Sequence, residues 1–195
     1  MKSLHLVFVS LLLSTPVFAV GNAAAPAKTA TVALTNAPGS GAVEFLAVGK
    51  PSALKIHGTA GGPDAKLNLD GSQLKGSVEF DMDKLDTGIA LRTQHMKEKY
   101  LQVKEYPKSK LTLTEAPVDT DFAKSLSNSG EKPFKGTLAM HGKEKEVAGT
   151  YTAQNGVVKA KFPLTLSDYG IDVPKYLGIT VADSVDVNVE VPLKK

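Results

Sequence analysis

Four histidines, His5, His57, His95 and His141, are the side chains best suited to ligate a metal or to move a proton near neutral pH. None stands as a close pair, and neither HExxH nor GxSxG occurs. His57 falls on the polar face of an alternating segment and His141 in a turn, where a solvated ring is expected. Ser167-Asp168 opens a turn and is better placed to bond its own backbone than to attack a substrate. The carboxylate pairs Asp81/Asp83 and Glu144/Glu146 alternate on outward strand or turn positions and read as solvated surface. Cysteine is absent, which removes thiolate nucleophiles, disulfides and thiolate-bound metals. The expectation is therefore no catalytic residue, no metal site and no cofactor. Arg92 and His95 remain, three apart and so neighbours if the chain is helical there.

One helix must carry them. Residues 84–107, KLDTGIALRTQHMKEKYLQVKEYP, interrupt a series of strand-like segments. Asp86 or Thr87 can accept from the amides of a first helical turn. Ile89, Met96 and Tyr100 would share a narrow apolar face. Tyr106-Pro107 returns the chain to extended form. The spacing predicts one short helix over about 88–100, placed to cover an end or a face of a β structure.

The remainder alternates with period two. The clearest segments are 74–82, with Leu74, Val78, Phe80 and Met82 on one side, and 184–193, with Val185, Val187, Val189 and Val191 on one side. Similar runs occupy 42–48, 52–60, 66–70, 109–115, 134–140, 145–153 and 158–166. Pro163 suggests an edge or a bulge. Residues 116–133 are polar and read as a long surface loop or irregular hairpin, with a helical turn near 119–125. The pattern is all-β: an antiparallel barrel or sandwich of about eight strands with one inserted helix. Closure into a barrel is favoured by the final strand, which would otherwise be an exposed edge.

Composition narrows the function. The 195 residues carry a formal charge of +3, with no basic block and no tryptophan. Nucleic acid is thus not an expected partner. Residues 6–13 are a compact apolar run, and Val17-Phe18-Ala19 has the small-x-small form of a signal peptidase site. Residues 1–19 are expected to be a cleaved signal peptide, 20–41 a flexible lead-in and 42–195 the folded domain. A periplasmic or secreted location follows. Lysines within 95–110 could attract a membrane surface for a passing contact, but Glu98 and Glu105 dilute them, and a solvated face is the simpler reading.

Three stretches together resemble the YceI-like family of lipocalin-like, polyisoprenoid-binding proteins. They are residues 76–114, with Asp86-Thr87-Gly88, Arg92, His95 and Tyr106-Pro107; FKGTLAMHGKEKEV at 134–147; and KFPLTLSDYGI followed by VADSVDVNVEVPL. The resemblance spans about 43–193. It implies a lipocalin-like β-barrel whose apolar interior takes an isoprenoid lipid, such as a quinone or a polyprenyl phosphate. The candidate cavity residues are Phe45, Leu54, Ile56, Phe80, Met96, Leu111 and Leu113, with Leu138, Met140, Val147, Phe162, Val187 and Val189. Arg92 and His95 are candidates for the lipid head group; the structural alternative pairs Arg92 with Asp86 and uses His95 to cap a loop. Association of two chains as a homodimer is left open. The competing function is a secreted stress-response or interaction module with a filled core.

Overall fold

The nine alternating segments all become strands, because burying one side of each leaves its charged side in water. The structure is a computed structural model and describes residues 31–50, 54–176 and 179–195. The expected signal peptide and the start of the lead-in lie outside the described residues. The strands are β1 (Val32–Thr35), β2 (Ala42–Lys50), β3 (Lys55–Gly61), β4 (Asp64–Asp70), β5 (Gln73–Asp81) and β6 (Lys108–Glu115). They continue as β7 (Lys132–Met140), β8 (Lys143–Gln154), β9 (Val157–Thr165), β10 (Lys175–Tyr176) and β11 (Ile179–Pro192). Two short helices, α1 (Ala90–His95) and α2 (Phe122–Ser125), lie between strands.

All strand pairs are antiparallel, in the order β1-β4-β5-β6-β7-β8-β9-β11-β2-β3, with β10 paired only to β11. The sheet curls into a half-barrel. Among the described residues there are eleven strands where about eight were expected: the nine alternating segments and two more. The additions are β10 and β1. Residues 32–35 of the expected lead-in thus form a strand, and Leu34 within it is fully buried. The last strand sits between β9 and β2 and is no edge. Pro163 also lies in an interior strand. It stands beyond the last β8 partner, Lys161, so its missing N–H breaks no bond on that side. Gly136 on β7 permits close packing of neighbouring strands, since a Cβ there would lie 2.6 Å from the Thr112 carbonyl oxygen.

The β1 edge is tied at one end. Thr35 and Lys194 exchange two backbone bonds of 2.9 and 2.7 Å. Asn36 accepts from the Ala65 amide at 2.7 Å and donates to the Pro63 carbonyl at 2.6 Å. This end is also plugged. Residues 116–131, expected on the surface, contain Ala116, Val118, Phe122 and Asn128, all buried. Their polar character serves internal bonds: Tyr151 Oη donates to the Pro117 carbonyl at 2.5 Å, and Asn128 Nδ2 donates to Tyr151 Oη at 3.3 Å.

Asp119 holds the plug in shape. Lys132 Nζ lies 2.6 Å away and the Ser129 amide donates to it at 2.5 Å, so its carboxyl is held down at about 2. The unfolded carboxyl titrates near 3.8. As the pH falls below that value, the unfolded chain takes up the proton first. The stabilisation is therefore complete above 3.8 and is lost as the pH falls through about 2. The melting temperature of the natural protein should fall more steeply across this window than that of Asp119→Asn; parallel curves would remove Asp119 from the account.

The helical segment crosses the other end. After α1 the chain widens into a π-helical turn, Met96–Tyr100, with the Leu101 amide donating to the Met96 carbonyl at 2.9 Å. The wider turn brings Met96, Tyr100 and Leu101 against the core, with Val103 just beyond. The start of α1 differs from expectation. Ile89 occupies the cap position with extended backbone and no side-chain cap. Its side chain therefore leaves the Met96/Tyr100 face and is 54 % exposed. Asp86 accepts instead from the Gly88 amide at 2.8 Å and from Thr93 Oγ1 at 2.9 Å, and these bonds hold its carboxyl below the usual range. Thr87 Oγ1 and Thr93 Oγ1 lie 3.0 Å apart.

Candidate functional site

Inside the curl lies an apolar hollow of about 120 Å³. Seven of the expected cavity residues line it: Phe80, Leu111, Leu113, Leu138, Phe162, Val187 and Val189. Five of the strands that carry them, β5, β6, β7, β9 and β11, point alternate side chains inward. Several of these inward side chains, among them Leu111, Leu113, Val187 and Val189, are only partly buried. The floor comes from residues that periodicity placed inward but did not single out, including Leu67, Leu74, Val191 and Leu193. Tyr151 lines the hollow as well, with its hydroxyl engaged by the plug. The lining contains no charged residue.

The other expected cavity residues stand elsewhere. Met140 closes β7 at its hairpin end and is buried off the hollow. Val147 is buried opposite Gly136 and does not reach the hollow. Met96 packs on the core from the helical segment. Ile56 belongs to a second small cluster with Ala47, Val181 and Val185. Phe45 touches both clusters without lining the hollow. Leu54 precedes β3 and joins neither cluster, because the strand pleat has not begun there.

Polar groups gather at the helical end. Arg92 shares its helix face with Met96, one turn on, which packs on the core. Its Nη2 donates to the Thr87 carbonyl at 2.5 Å, and its buried Nε has no partner. No ion pair among the described residues includes Arg92, so it does not pair with Asp86. His95 is exposed on the helix surface and caps no loop. His141, expected to be solvated, instead packs against Tyr106 with the rings tilted by 52° and their centroids 4.6 Å apart. Its Nδ1 lies 3.0 Å from the Tyr169 carbonyl oxygen. Tyr169 is buried, and burial pushes its hydroxyl up to about 12, with Asp168 adding to the effect. Both His141 Nε2 and Tyr169 Oη are buried without partners. A broad depression on the outer side of α1 carries Asp83, Lys84, Lys97 and Glu98, and this charged lining does not suit hydrocarbon.

A curled antiparallel sheet around an uncharged apolar hollow, with a helix across one end, defines a lipocalin-like half-barrel. The YceI-like domain model matches residues 35–193, and the chain belongs to that family. The chain has no significant sequence match among curated proteins. Among solved structures it is similar to a polyisoprenoid binding domain from Saccharophagus degradans implicated in plant cell wall breakdown. That similarity has a TM-score of 0.60 and 12% identity, and covers 83% of this chain and 97% of that one. Burkholderia cenocepacia BcnA gives a TM-score of 0.61 at 18% identity, over 78% of this chain and 96% of that one. A Campylobacter jejuni YCEI protein gives 0.52 at 18% identity, over 72% and 85%.

Proposed function

We propose that this protein binds and carries a long-chain isoprenoid-type lipid, a quinone or a polyprenyl phosphate, outside the cytoplasm. The carrying observation is the hollow itself: inward side chains that are only partly buried and bear no charge. Each methylene buried there is worth roughly 0.8 kcal/mol, so a few isoprene units supply affinity without any catalytic group. The Saccharophagus relative, a polyisoprenoid binding domain, supports the same ligand class. A filled-core interaction module fits less well, since its inward side chains would be packed shut.

The head group would remain at the helical end, where Arg92 offers a buried N–H without a partner. Exposed Ile89 and Leu91, at the start of α1, would meet the membrane from which the lipid comes. Lipid extraction and mass spectrometry of the purified mature protein should return a prenyl lipid. Arg92→Gln should retain the fold but bind a polyprenyl phosphate about tenfold more weakly, the loss of one hydrogen bond to a charged group. A protein that yields no prenyl lipid and takes none up defeats the proposal. An unchanged affinity in Arg92→Gln moves the head group elsewhere.

A further inference from the structure

We infer that Phe45 sets the length of hydrocarbon tail that the hollow accepts, an inference that rests on the carrier reading above. Three inward rows run side by side: Val43, Phe45 and Ala47 on β2; Val189, Val187 and Val185 on β11; Ala60, Gly58 and Ile56 on β3. Val43, Val189 and Val187 line the hollow. Ala47, Val185 and Ile56 form the separate rim cluster with Val181. Phe45 and Leu166 are the two side chains that pack against both groups.

The ring of Phe45 rests on a glycine. Its cross-strand partner is Gly58, and a Cβ built on Gly58 would lie 1.9 Å from Phe45 Cε1. Only a residue without a side chain leaves room for the ring in this position. The ring therefore stands between Val43, which lines the hollow, and the rim residues Ala47 and Ile56. The hollow of about 120 Å³ is well below the roughly 300–1,000 Å³ of pockets that enclose drug-sized ligands. A short prenyl chain fits below the ring. A long one must also part the buried rim cluster, and reaches it only when Phe45 turns off Gly58.

The test compares uptake of farnesol and of solanesol from cyclodextrin, read by extraction and mass spectrometry after gel filtration. In Phe45→Ala, solanesol uptake should accelerate about tenfold, the scale of one lost aromatic packing contact, while farnesol uptake stays as in the natural protein. Phe45→Leu should shift solanesol in the same direction by less, and serves if the alanine variant is unstable. Gly58→Ala, which drives the ring from its seat, should likewise accelerate solanesol uptake and leave farnesol uptake as in the natural protein. Equal acceleration of both prenols, or of neither, overturns this role of Phe45 while leaving the carrier reading in place. If the natural protein holds neither prenol, the carrier reading falls and the role of Phe45 with it.

Discussion

Leu138→Asp should lose both the bound lipid and most of the stability of the sheet. Leu138 is buried on β7, opposite Leu111 on β6, and lines the hollow. The introduced carboxylate would have no charged partner, because the lining carries none. An unpaired polar group in such surroundings costs several kcal/mol, and an ionised one more, so a loss of ~3 kcal/mol or more is expected. Thermal unfolding followed by circular dichroism reads the stability, and lipid extraction reads the ligand. Leu138→Met is the control: it conserves volume and should change stability by less than about 1.5 kcal/mol. A Leu138→Asp protein that keeps both its lipid and its melting temperature would place Leu138 outside the core.

Phe122→Ala should be nearly as costly, for a different reason. Phe122 lies in the plug between β6 and β7 and is fully buried. Truncating a buried phenylalanine to alanine costs about 3–5 kcal/mol through lost transfer energy and the cavity left behind. The cavity would open at the plugged end of the half-barrel, near Tyr151 and its bond to Pro117. Two readouts separate this change from Leu138→Asp. The melting temperature should fall sharply, yet below it the protein should still take up a prenyl lipid, since Phe122 is not part of the lining. A small shift in melting temperature would mean that the plug does not hold the end closed.

Much of this was readable from local pattern. Alternation at 74–82 and 184–193 reports which side of a strand each residue takes, and both became strands with the expected side inward. The helical insertion was readable from Met96 and Tyr100, although Ile89 left their face because the helix begins only at Ala90. Residues 116–131 were misread because their polar side chains bond to one another and to the barrel, which composition does not distinguish from solvation.

The amino-acid sequence by itself determined nine of the described strands, the inward and outward side of each, the helical insertion between β5 and β6, and the lack of metal-binding or nucleophilic motifs. These follow from period, turn residues and composition, which act over a few residues. Tertiary structure alone decided that β11 lies between β9 and β2, that Phe122 closes one end, and which inward residues face open space. Leu113 lines the hollow and Met140 does not, though both alternate inward. The difference arises from register and curl, which bring together residues far apart in the chain, and a two-residue period carries no record of how far along the barrel each one comes to rest.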